Sequence, residues 1–179
     1  GARGLRLTLF DRHDDLLSDP GLSAIAELLT DHGAVMEMHA RPDQLASVAR
    51  LAQVHPSLAI LVDHLGRPDT SVGPEDDSYA AFRALAAYPN VVAKTPNSSY
   101  FSHSPSPYPD LAPHLEYALD AWGADRLMWG SDWPLCVARD TYRDAFEPLV
   151  TVLERRSSQE REAVLRTTFE RVLMDASTR

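Results

Sequence analysis

Three polar side chains stand directly after apolar, strand-like runs. His39 closes residues 34–39. His64 follows residues 58–63, inside Asp63-His64-Leu65-Gly66-Arg67-Pro68. Asp132 follows residues 126–130, inside Trp129-Gly130-Ser131-Asp132-Trp133-Pro134. A histidine and a carboxylate at neighbouring strand ends can hold a water for attack or share a metal ion. Parallel α/β folds place their chemistry at that end of the strands. Gly66 and Gly130 let the backbone turn sharply or pass close to a ligand. Each residue also has an ordinary structural use. A lone histidine at a strand end is more often a hydrogen-bonder than a ligand. An aspartate before Trp-Pro can cap its own loop. Lys94, the single lysine beside sixteen arginines, would usually be a surface residue. Residue types alone leave a βα protein with a His/Asp pair that is either a site or a set of structural contacts.

The elements that must position these residues alternate along the chain. Residues 4–9 alternate apolar and polar as a strand does. Residues 22–29 have a helical pattern ending near Gly33, a helix stop. Residues 34–39 form a second strand. A second helix opens at Pro42-Asp43, with Leu45, Val48, Ala49, Leu51 and Ala52 on one face, and His55-Pro56 ends it. Residues 58–63 are an apolar run of the kind buried in parallel sheets. A helix over 79–88 and a strand over 91–94 follow. The Ser/Pro-rich segment 95–109 reads as a long structureless loop, a type that is usually functional or mobile. Leu111, Leu115, Leu119 and Trp122 recur at helical spacing. After the strand at 126–130, helices are expected over 141–154 and 159–174, the last with Val164, Leu165, Thr168, Val172 and Leu173 on one face. Strands alternating with helices predict βαβ units on a parallel sheet. A closed eight-stranded barrel needs about 250 residues, more than the 179 present.

Composition narrows the function classes. The chain is 44% hydrophobic and 24% charged, with a net charge of −9, so a phosphate backbone is repelled and nucleic acid is excluded as a partner. No apolar run approaches the ~20 residues of a membrane span. The one cysteine, Cys136, excludes an internal disulfide and a cysteine-based zinc site. With no apolar leader in residues 1–12, a cytoplasmic home is the expectation.

At these motifs the sequence resembles the amidohydrolase-2 family of metal-dependent-hydrolase-like TIM barrels. The resemblance is carried by Asp63-His64-Leu65-Gly66-Arg67-Pro68, Asn90-Val91-Val92-Ala93-Lys94 and Leu127-Met128-Trp129-Gly130-Ser131-Asp132-Trp133-Pro134. Gly4-Leu5-Arg6-Leu7 with Arg12 adds to it. The nearest likeness is to the pyrone-dicarboxylate lactonase group. It implies a partial (β/α)8 TIM barrel of about five parallel strands, in which residues 1–179 form a single domain lacking the first three βα units. It implies hydrolysis of a small carboxylated lactone by activated water. Asp132 and His64 would be the catalytic pair, with Arg6, Arg12 and Arg67 gripping substrate carboxylates. A divalent metal such as zinc, if bound, would sit on His39, His64 and Asp132. Two alternatives stand beside this: an inactive truncated barrel acting as a binding or assembly module, and a zinc-dependent aromatic-acid decarboxylase. The family's His-x-His pair occurs nowhere in the chain. Tyr100 stands where the lactonase group has a loop arginine, and Thr167-Thr168-Phe169 replaces its closing Asn-Ala. Open sheet edges lead us to expect a homo-oligomer or a longer parent chain.

Overall fold

A computed structural model describes residues 1–10 and 19–174; Arg12 lies outside the described residues. Five strands form one sheet in chain order, β1-β2-β3-β4-β5, with every neighbouring pair parallel. They are β1 Gly4–Thr8, β2 Val35–His39, β3 Ala59–Val62, β4 Val91–Lys94 and β5 Leu127–Met128. The connecting helices are α1 Pro20–Asp31, α2 Leu45–Val54, α3 Ala80–Leu85, α4 Ser98–Phe101 and α5 Ala112–Trp122. After the last strand come α6 Tyr142–Leu153 and α7 Ser158–Glu162. The expected alternation therefore holds, and the order of strands is that of a partial α/β barrel.

The period of two along each strand sorts the core from the site. Met36, Met38, Ile60, Val62, Val91, Ala93 and Leu127 bury against the helices in one large cluster. The expected helix faces supply its other half: Leu45, Val48, Leu51 and Ala52 from α2, then Leu111, Leu115, Leu119 and Trp122 at and along α5. The alternate strand positions face the other way. Their lower members, Val35, Leu61, Val92 and Met128, make a second apolar cluster capped by Val172. Two residues further along the strands come Glu37, Asp63, Lys94 and Gly130. The site is thus the polar continuation of an apolar inner face. Asn90 ties the strand starts together by donating from Nδ2 to the carbonyls of Ala52, His55 and Leu58 at 3.0–3.1 Å.

Three expectations are corrected. The segment 95–109 is not structureless: it holds α4, whose Ser98 Oγ donates to the Ala145 carbonyl of α6 at 2.9 Å. Serines carry little helical signal; this turn forms because a neighbouring helix receives its hydroxyl. The fifth strand is only two residues long. Arg126 is drawn into a 3₁₀ turn, and the Trp129 N–H donates to Val164 O at 3.0 Å instead of to a strand. The last helix widens into π turns at Ala163–Thr167 and Glu170–Met174. Val164, Thr168 and Val172 are buried, Val164 in the helix-side cluster and Val172 over the inner face. Leu165, expected on that face, is exposed. No helix among the described residues is long and apolar enough to cross a membrane.

Candidate active site

Four charged residues, on or directly after four successive strands, meet on the inner face. Arg6 and Glu37 are register partners on β1 and β2. Arg6 Nε lies 3.1 Å from Glu37 Oε1 and 2.8 Å from Asp63 Oδ2. From the other side, Lys94 Nζ is 2.6 Å from Glu37 Oε1 and 2.7 Å from Asp63 Oδ1. Two cations thus balance two anions, the condition on which buried charges survive. Burial would push the Asp63 carboxyl up, but the Glu37 hydrogen bond and the Lys94 charge outweigh it and hold Asp63 down at about 2. Burial and the adjacent Asp63 raise Glu37 against the opposing pull of Lys94. Lys94 itself is raised: burial works against its charge, and Asp63 and Glu37 more than compensate. Arg6, expected to grip substrate, has its guanidinium committed to two carboxylates of this quartet. Glu37 escaped the sequence reading because a strand glutamate between two methionines has no motif around it. Lys94 stands out in the sequence as the single lysine and as the end of the Asn90–Lys94 motif, but nothing there shows its carboxylate partners.

Beyond β3 the chain does something unusual for L-residues. His64, Leu65, Gly66 and Arg67 all have positive φ, 53°, 50°, 68° and 65°. Each non-glycine residue in this left-handed region costs roughly 1–2 kcal/mol. Packing holds the turn. Leu65 is fully buried, its carbonyl accepts from Tyr79 Oη at 2.7 Å, and Arg67 N–H closes onto His64 O at 2.8 Å. A side chain on Gly66 would meet Leu45 Cδ1 at 2.7 Å and Phe82 Cδ2 at 2.9 Å, so only glycine fits. The result is that His64 and Arg67, three residues apart, both line one cavity. Strain of this kind persists where surrounding structure over-determines it, and it concentrates at functional sites.

Asp132 is also left-handed, at φ 57°. Asn97 fixes its carboxylate by donating from Nδ2 to Oδ2 at 3.1 Å, and Ser99 Oγ donates to Asn97 Oδ1 at 3.1 Å. Asn97 and Ser99 are both buried. The sequence gives no signal for either, since the segment that holds them reads as a loop. His64 Nε2 lies 4.0 Å from Asp132 Oδ2. Burial lowers the His64 pKa, with Lys94 and Arg6 adding to it against Asp63 and Asp132, so the imidazole is neutral at pH 7. With Nε2 facing a carboxylate and Nδ1 buried without a partner, the proton belongs on Nε2.

His39, His64, Arg67 and Asp132 together line a cavity of about 290 Å³. Phe10, Phe101 and Tyr100 surround the Arg67 guanidinium, with ring centres 4.8, 5.1 and 5.9 Å from it. His39 Nε2 is 3.1 Å from Arg67 Nη1. Arginine can only donate, so this contact uses the imidazole lone pair. Burial first, then the charges of Arg6, His64 and Arg67, lower the His39 pKa to about 4 despite the opposing Asp63. The expected metal set of His39, His64 and Asp132 therefore does not fit a metal ion: one ligand's lone pair faces a guanidinium. Among the described residues no group of three or more His, Cys, Asp or Glu side chains is placed to hold one.

The chain is similar to known proteins. An L-fucono-1,5-lactonase of Burkholderia ambifaria is 34% identical over 137 residues, which are 74% of this chain and 46% of the relative. A 2-pyrone-4,6-dicarboxylate hydrolase of Comamonas testosteroni is 25% identical over 143 residues, 75% of this chain and 46% of its own. The zinc-bound crystal structure of an amidohydrolase from Burkholderia multivorans superposes with a TM-score of 0.83 at 28% identity, covering 96% of this chain and 64% of that one. The chain spans about half the length of the curated relatives it matches. The sequence profile of the amidohydrolase family matches residues 1–173, essentially everything from the quartet to the last turn that caps the inner face, and the chain belongs to that family.

Proposed function

We propose that this cavity is the hydrolytic site of a lactone hydrolase whose substrate carries a carboxylate. One observation carries the reading. A carboxylate held by a buried asparagine and a buried histidine face each other 4.0 Å apart at the wall of one cavity.

Asp132 accepts a proton from water as the water oxygen attacks the lactone carbonyl carbon. His64 Nε2–H donates to the carbonyl oxygen, where negative charge develops in the tetrahedral intermediate. As the ring C–O bond breaks, the ring oxygen leaves with the proton that Asp132 took. A hydroxy acid results, with atoms and protons balanced. Neutral His64 suits this role because it keeps its N–H without placing a fixed cation beside Asp132. Arg67 is the group for a substrate carboxylate. Among the described residues its guanidinium meets rings and an imidazole but no acid, and a guanidinium binds carboxylate bidentately.

The zinc decarboxylase alternative needs His39, His64 and Asp132 as a ligand set, and the His39–Arg67 contact speaks against it. The test is a lactone panel assayed with the longest natural chain that contains this sequence. Asp132→Asn abolishes hydrolysis and leaves binding of a carboxylated ligand intact, because an amide fills the space but takes no proton. Arg67→Met weakens binding by about 1.5–3 kcal/mol. Wild-type turnover in Asp132→Asn would sink the assignment.

A further inference from the structure

Beside the cavity lies a more open groove of about 570 Å³. The two share Arg67, Tyr100 and Phe101 as lining. Two further arginines wall the groove: Arg41, just past β2, and Arg139, past β5. A chain of net charge −9 thus gathers three arginines on one surface. Among the described lining residues the acid is Asp69, whose Oδ1 accepts from the Ser71 N–H and hydroxyl and lies 3.5 Å from His103.

These three arginines share one groove and are held there without an acid at each guanidinium. Arg41 Nη1 donates to the Phe10 carbonyl at 2.5 Å. Arg139 Nη1 donates to the Ser99 carbonyl at 3.1 Å, and its guanidinium sits 5.3 Å from the Tyr100 ring centre. Arg67 rests among rings and against His39. Carbonyls and rings fix a guanidinium without cancelling its charge. Among the described residues Arg67 and Arg139 meet no carboxylate, and Arg41 meets only the exposed Asp43, at 3.3 Å through Nε. Elsewhere Arg156, Arg166 and Arg155 are spent on acids, and Arg83 and Arg126, also held by carbonyls, do not line this groove. Anchored guanidiniums of like sign, converging from three loops beside an aromatic floor, concentrate anions.

We propose that this groove is an anion subsite. It takes an oxyanion carried by the substrate on an arm that leads past Arg67, away from the carbonyl under attack. The chemistry is that of a carboxylate, sulfonate or phosphate. That the arm belongs to a lactone rests on the function proposed above; the anion binding does not.

Two arms of one experiment separate the claims. In the first, the chain is titrated with inorganic phosphate while the arginine Nε–H resonances are followed. Saturable shifts are expected at Arg41, Arg67 and Arg139. Arg41→Gln and Arg139→Gln should each weaken phosphate about tenfold or more, while Arg155→Gln, at an arginine that pairs with Glu116 and does not line the groove, binds it as the wild type does. Arg139→Lys, which keeps the charge and loses the fork, should fall between the two. Folding of each variant is read from its amide spectrum, and a Gln variant that misfolds leaves Arg139→Lys to decide. Shifts that do not saturate, or equal affinity in the folded variants, overturn the subsite. In the second arm, the longest natural chain is assayed on a lactone with a carboxylated arm and on its neutral amide. A preference of tenfold or more in kcat/KM for the charged form should fall toward one in Arg139→Gln. Phosphate binding without hydrolysis of either lactone would refute the lactonase alone. Hydrolysis without phosphate binding would refute the subsite alone.

Discussion

Lys94→Met tests whether the inner-face quartet is a balanced unit. Methionine keeps the unbranched stem and removes the charge. The variant leaves Glu37 and Asp63 side by side with Arg6 as their one cation. Each contact of about 2.7 Å is worth roughly 6 kcal/mol of attraction at an effective dielectric of 20, but desolvation of the lysine offsets most of that. Breaking a fully buried pair costs about 3–5 kcal/mol net. Lys94 and Glu37 keep 24% and 20% of their side-chain exposure, and Asp63 keeps none. The expected loss is therefore about 2–3 kcal/mol at pH 7, below the fully buried range. The pH dependence has a definite sign. In the wild type, Asp63 at about 2 lies below its ordinary 3.8, so it contributes stability above pH 3.8 that is lost as pH falls through 2. Glu37, raised, works in the opposite direction. Without Lys94 both carboxyls hold protons more readily in the folded state, so the deficit of the variant should narrow between pH 7 and 5. Lys94→Met with Glu37→Gln restores one cation to one anion and should recover at least half of the loss. Urea melts of the four proteins in a double-mutant cycle measure this. A single variant within about 0.5 kcal/mol of wild type, or a double variant as unstable as the sum of the singles, would refute the balanced-quartet reasoning.

Gly66→Ala should cost about 3 kcal/mol or more, from a left-handed alanine plus contacts at 2.7 and 2.9 Å with Leu45 and Phe82; a thermal melt equal to wild type would contradict the left-handed turn. Asn97→Asp places a like charge at the 3.1 Å contact with Asp132, so the acid limb of the pH–rate profile should move to higher pH; an unmoved limb would mean that Asn97 does not position Asp132. The His39 imidazole should stay neutral down to about pH 4, and its lowered pKa removes stability as pH falls from 6.5 to about 4; a ring titration near 6.5 by NMR would exclude its burial against Arg67. β1 is an outer strand of the sheet and most of it is exposed, so we expect light scattering to show mass rising with concentration as a second copy pairs with that edge; a monomer at every concentration would count against this.

The fold was legible because it rests on periodicity. Residues 58–62 could only be a buried strand, and the spacing of Leu111, Leu115, Leu119 and Trp122 could only be a helix face. All of these but the half-buried Ala59 are buried as read. The ends of elements were less legible because they answer to distant partners. Ser98 becomes helical by donating to Ala145, and the widened turns after α7 bring Val172 onto the inner face while turning Leu165 outward. The site divides in the same way. His39, His64 and Asp132 were visible because strand ends are where polar residues need a reason. Glu37, Asn97, Arg41 and Arg139 were not, since each acts through a residue 31 to 57 positions away. The left-handed run from His64 to Arg67 joins the two levels. Sequence shows a glycine beside a histidine, while structure shows that the glycine has no room for a side chain and that its neighbours bear strain to line one cavity. A chain that needed these residues only for packing would gain stability by relaxing that turn. That it is held in place by Tyr79, Leu45 and Phe82 is the physical ground for reading this strand end as a site rather than as a set of structural contacts.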